Sequence, residues 1–118
     1  MEPVIGFARA VRVGAHIAVS GTAPIGEDGT TVGVGDVAAQ ARRCFAVALA
    51  ALEEVGAMKQ DVVRTRILLC DIRRWRDAAV VHGELFADVR PACTFVEISR
   101  FIDPEWLVEI ELDAIVDS

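Results

Sequence analysis

The sequence predicts a single α/β domain of the α+β kind, residues 1–118, in which two helices cover one face of a mixed sheet. Two observations predict it. Only two segments repeat apolar residues at three- and four-residue steps, while five others read as strands, giving the order ββαβαββ. In addition, 53% of the residues are apolar, and no repeat, linker or low-complexity run interrupts a chain of 118 residues, so one modest core is expected.

Phe7–Ser20 reads as a hairpin joined at Gly14-Ala15, because glycine at the first turn position supplies the positive φ of a two-residue type II′ turn. Gly21–Gly35 holds five glycines and the run Gly26-Glu27-Asp28-Gly29, which predicts a loop or weak edge strand. Asp36 is placed to cap a helix whose Val37, Ala41, Cys44, Phe45, Ala48, Leu52 and Val55 share one face before Gly56 ends it. Val62–Cys70 is rich in β-branched and aliphatic residues, with Arg64 and Arg66 on the opposite parity to Thr65 and Ile67, as in a strand covered on one side. Asp71 then caps a second helix, running to about Phe86, that turns Trp75, Ala79, His82 and Phe86 to one side.

Arg90-Pro91 closes the connection, since proline cannot continue a helix and biases its predecessor toward extended backbone. Two final strands follow, Arg90–Ser99 and Trp106–Val116. In the last one Trp106, Val108, Ile110, Leu112, Ala114 and Val116 share one face, and Glu109, Glu111 and Asp113 the other. A sheet with helices on one side only must show its other face to water or to another subunit.

The composition narrows the partners. A net charge of −6 without a basic cluster repels a phosphate backbone, so no nucleic acid is expected. Met1-Glu2-Pro3-Val4 does not resemble a secretion signal, and no run reaches the roughly 20 apolar residues of a membrane span, so no membrane contact and a cytoplasmic location are expected. Cys44, Cys70 and Cys93 are odd in number and widely spaced, which suggests reduced thiols and neither a disulfide framework nor a zinc site.

Five short motifs then occur in order: Phe7-Ala8-Arg9-Ala10-Val11, Val19-Ser20-Gly21-Thr22-Ala23-Pro24, Ala39-Gln40-Ala41-Arg42, Pro91-Ala92 leading to Val96-Glu97, and Val108-Glu109-Ile110-Glu111. Together they resemble the Rid family, also called the YjgF or L-PSP endoribonuclease family, from Gly6 onward. The resemblance implies a chorismate-mutase-like subunit in a homotrimer, with the sheets packed into a central barrel and a small-molecule cleft between neighbouring subunits. It also implies hydrolysis of enamines and imines to a carbonyl compound and ammonia, with no cofactor and no metal.

The resemblance assigns site roles by position. Glu109 matches the glutamate that positions the hydrolytic water, Phe7 the aromatic wall of the cleft, and Gly21 a backbone donor to the ligand. Each has a plainer alternative: a solvated strand acid, a core aromatic, a turn glycine. The family's Pro-Ala-Arg sequence, whose arginine clamps a substrate carboxylate, is broken here, because Cys93 follows Pro91-Ala92. A thiol cannot supply the paired, charge-assisted hydrogen bonds of a guanidinium. Arg9 is the better placed substitute, since Arg90 should point away from Cys93 and Arg100 lies beyond the strand.

Cys93 is expected as a small, buried, inert thiol rather than a nucleophile, because no histidine adjoins it in sequence. Phe95, where relatives often carry cysteine, should make the cleft more apolar. The three carboxylates of the last strand lack the histidine that would favour a metal site. His82 should be a packed, neutral histidine and His16 an exposed one. Two functions follow as expectations: an imine or enamine deaminase with altered substrate preference, or a non-catalytic, metabolite-binding or regulatory member of the same fold. Ribonuclease activity ranks below both, since the acidic chain offers neither RNA affinity nor paired histidines.

Overall fold

The computed structural model describes residues 6–116. Its elements are β1 (Ala10–Val13), β2 (His16–Thr22), α1 (Val37–Glu54), β3 (Val62–Leu69), α2 (Trp75–Phe86), β4 (Ala92–Glu97) and β5 (Val108–Ile115), with 3₁₀ turns at Lys59–Asp61 and Ile72–Arg74. The five strands form one sheet in the order β1-β2-β5-β3-β4. Only β3 and β4 run parallel, because α2 carries the chain from one to the other across the sheet.

Local chemistry explains the boundaries. Gly14 takes φ 62°, and Val13 pairs with His16 across the turn. Asp36 caps α1 by accepting a hydrogen bond from the Ala39 amide at 3.1 Å. At the other end Gly56 adopts φ 91°, which lets the Ala57 amide reach back to the Leu52 carbonyl at 3.1 Å in a Schellman closure. Gly21–Gly35 contributes β2's last two residues and is otherwise a loop, crossed by a single bridge between Ile25 and Thr31.

Three expectations are corrected. Asp71 caps the 3₁₀ turn, not α2, accepting from the Arg73 amide at 3.0 Å. The buried stripe of α2 is Ala78, Val81 and Phe86, whereas Trp75 stays 36% exposed, because its indole leans edge-on over Phe95 at the sheet margin, 5.5 Å between centroids. Arg90 is not extended but left-handed, at φ 59°. Its amide bonds the Phe86 carbonyl at 2.8 Å, and this helix-end reversal outweighs the preference imposed by the following proline.

The core lies between the helices and the near face of the sheet. Cys44, Phe45, Ala48 and Leu52 of α1, with Val81 and Phe86 of α2, pack on Ile17, Val19, Ile67, Ile110 and Leu112. His82 fills the seam between α2 and the sheet, against the rings of Phe45 and Phe86, and its Nε2 lies 2.8 Å from the hydroxyl of buried Thr65.

Among the described residues nothing covers the far face. Arg66 pairs there with Glu111, and Arg64 with Asp113 at 3.8 Å. Val11, Val13 and Ile115 share this face and are 50%, 75% and 48% exposed. Among the described residues no helix is long and apolar enough to cross a membrane.

Candidate active site

The site is built on an irregularity in the ladder. Between Val19 and Thr22 the pairing of β2 with β5 slips by one residue, so β2 carries one extra residue there. This bulge brings Gly21 beside Glu109, and a Cβ at Gly21 would lie 3.1 Å from Glu109 Oε1. Glycine here leaves room for the carboxylate, a close approach that any side chain would crowd.

The bulge also anchors the segment before β1. The backbone amide and the hydroxyl of Ser20 both donate to the Arg9 carbonyl, at 3.0 and 3.2 Å. The Arg9 guanidinium in turn donates to the Gly21 carbonyl at 3.3 Å. Phe7, Arg9, Gly21 and Glu109 therefore line one cavity of about 400 Å³, a size suited to a small molecule. Its remaining walls are Thr22 at the end of β2, Ala23 and Ile25 of the loop, Val47 of α1, and Ile102 and Trp106 from the segment before β5.

Charge pairing separates the three carboxylates of β5. Glu111 and Asp113 are engaged by the arginines of β3, while among the described residues Glu109 is in no ion pair. Burial lifts the Glu109 carboxyl above its ordinary value of 4.5, the charge of Glu111 lifts it further, and Arg9 draws it partly back. A partly shielded acid with a raised pKa in an apolar pocket is suited to taking up and releasing a proton.

Four of the six residues singled out in the sequence thus meet in one cavity. The other two do not reach it within the chain. Cys93 and Phe95 lie on β4, the opposite end of the sheet from β1, paired with Thr65 and Ile67. Cys93 is exposed, which corrects the expectation of a buried thiol: β4 is an edge strand, and at its start no helix covers it. Neither Arg90 nor Arg100 lines the cavity, whereas Arg9 does. Among the described residues no group of three histidine, cysteine or acidic side chains is arranged to hold a metal ion.

Sequence reasoning missed the upper wall. Ile25, Val47, Ile102 and Trp106 carry no motif of their own, and the Trp106 Nε1 is the one buried side-chain polar atom without a partner among the described residues. It also missed what holds that wall in place. Gln40, fully buried in α1, donates to the Glu105 carbonyl at 2.9 Å and the Gly33 carbonyl at 3.3 Å, and accepts from the Leu107 amide at 2.8 Å. A glutamine on the same helical face as Val37, Ala41 and Cys44 was the available signal, since a buried amide needs partners.

A two-layer α+β domain whose bulge-built cavity holds, among the described residues, one shielded acid defines the class. Residues 1–116 match the family described as Endoribonuclease L-PSP, and the chain belongs to this family, the Rid or YjgF family. The crystal structure of a YjgF-family member from Mycobacterium tuberculosis superimposes with a TM-score of 0.87 at 43% identity, covering 98% of this chain and 91% of that one. An uncharacterized protein of Streptomyces coelicolor is 37% identical over 113 residues, 96% of this chain and 84% of its own length. The 3-aminoacrylate deaminase RutC of Acinetobacter baylyi is 31% identical over 108 residues, 92% of this chain and 85% of its own.

Proposed function

We propose that this protein is a cytoplasmic, homotrimeric imine or enamine deaminase that works without cofactor or metal in a cleft between subunits, with Glu109 as its acid and base. The observation that carries the reading is Glu109 itself: half-buried, raised in pKa and, among the described residues, in no ion pair, on the wall of a small-molecule-sized cavity. Family membership and the likeness to a 3-aminoacrylate deaminase support it. The uncovered sheet face, with its exposed valines, supports the trimer, in which Cys93 and Phe95 of a neighbouring copy would complete the cleft.

The chemistry follows from the geometry. An enamine first becomes the imine by tautomerisation, gaining a proton on carbon and losing one from nitrogen. The Glu109 carboxylate removes a proton from water as the water oxygen bonds to the imine carbon, and passes that proton to the nitrogen, giving a carbinolamine. The regenerated carboxylate then takes the hydroxyl proton as the carbonyl forms and the carbon–nitrogen bond breaks, its electron pair leaving with nitrogen. The Glu109 acid delivers this second proton to the departing nitrogen, which leaves as ammonia. Because Cys93 stands where the family clamp is arginine, the favoured substrate is not a simple α-imino acid but a neutral or differently charged imine.

The test is to generate several imines with amine and amino-acid oxidases and follow ammonia and carbonyl release. Wild type should accelerate at least one of them, and Glu109→Ala should lose the effect. No acceleration on any imine sinks the deaminase and favours a ligand-binding protein, the reading to which the missing clamp points. If Cys93→Arg alone gains activity on 2-aminoacrylate, the scaffold is competent and the clamp defines its specificity. Sedimentation tests the assembly, which a stable monomer would refute.

A further inference from the structure

Resting on the reading of this cavity as the substrate site, we propose that the substituent of its imine substrate is apolar and branched or aromatic, held between Phe7, Ile25, Ile102 and Trp106. The polar groups of the cavity, Arg9, Glu109 and the Gly21 backbone, gather at the bulge. The rest of the lining is mostly hydrocarbon, its polar atoms being the Thr22 hydroxyl, which donates to the Ser20 carbonyl, and the Trp106 Nε1. At its mouth Phe7 and Ile25 are each 36% exposed, and Ile102 is 93% exposed.

Large apolar side chains left in water around a concave site mark a binding surface, because only a bound molecule or partner removes them from solvent. The division of the cavity sets the orientation of its occupant. The reacting carbon lies at Glu109 and the hydrocarbon substituent runs toward Ile102 and Trp106. A small polar imine would leave Ile102 in water and gain nothing from this wall.

Primary amides provide a test without chemistry, since they share the neutral, planar reacting end of an imine and are not hydrolysed by it. Propanamide, 3-methylbutanamide and phenylacetamide are titrated into the wild-type protein and followed by NMR, and into Trp75→Phe, in which Trp106 is the one remaining tryptophan and its fluorescence a local readout. Each buried carbon should tighten Kd roughly fourfold, so that 3-methylbutanamide binds on the order of 15-fold more tightly than propanamide. Ile102→Ala should remove at least a fourfold part of that gain and leave propanamide unchanged; at 93% exposure, its replacement does not disturb the fold.

Equal Kd values across the series, or an equal weakening of all three ligands by Ile102→Ala, overturn the proposal and leave Ile102 as a subunit contact. The two readings fail separately. A chain-length gradient without imine hydrolysis removes the deaminase and keeps the apolar ligand. Hydrolysis without the gradient does the reverse.

Discussion

Replacing Gln40 with leucine removes one side chain that ties α1 to both loops of the cavity wall. Leucine is close in volume, so the change isolates the hydrogen bonds from packing. Two backbone groups lose their partner, the Leu107 amide and the Glu105 carbonyl, while the Gly33 carbonyl keeps the Asp36 amide at 2.8 Å. An unsatisfied buried donor costs about 1–3 kcal/mol, and a carbonyl that can recover water costs less, so a loss of about 3 kcal/mol is expected. For a chain of this length about 1 kcal/mol moves Tm by roughly 4 °C, which predicts a drop near 12 °C by calorimetry.

Gln40→Glu separates donor from acceptor. Its carboxyl still accepts from Leu107, but it can donate to Glu105 only when protonated, so its folded pKa lies above the unfolded value of about 4.3. The stability so retained is present below that pH and is lost as pH rises through the folded pKa. A Gln40→Leu protein that unfolds within about 3 °C of wild type would refute the view that Gln40 holds the wall.

Three further predictions are local. Gly21→Ala should fold normally but push the Glu109 carboxylate aside by a few tenths of an ångström, lowering imine hydrolysis roughly tenfold, since its Cβ meets Oε1 at 3.1 Å; an unchanged rate would separate Glu109 from the chemistry. Under native conditions a thiol reagent should modify exposed Cys93 first and Cys44 only on unfolding, because burial pushes the Cys44 thiol far above its ordinary range; mass spectrometry of the labelled peptides gives the order. Burial holds the His82 pKa below 6.5, so the unfolded chain takes up that proton first and stability falls as pH drops below about 6.5; Tm between pH 7 and 5 should therefore fall more in wild type than in His82→Gln.

The hairpin, the α1 caps and the two-faced β5 were legible because each rests on a local signal: a glycine at a turn, an aspartate before an apolar period, strict alternation. The phase of α2 was not, because the 3₁₀ turn at Ile72–Arg74 delays the helix and Phe95 holds Trp75 at the margin. Arg90 was misjudged for a related reason, since the hydrogen bond that ends the helix outweighs the following proline. Of the site, residues next to the bulge could be named through family motifs. Ile25, Ile102 and Trp106 come from loops whose path is set by Gln40, a contact spanning more than 60 positions that no local pattern encodes.

The role proposed for Glu109 is to activate water at the cavity in its ionised form. It is tested by measuring kcat/KM against pH on the best imine, for wild type and Glu109→Gln. The wild-type rate should fall as pH drops through a pKa above 4.5, the direction in which burial shifts this carboxyl, and the variant should lose about 10² or more, its residual rate lacking that acidic limb. A Glu109→Gln protein with the wild-type rate and the same pH profile would contradict it.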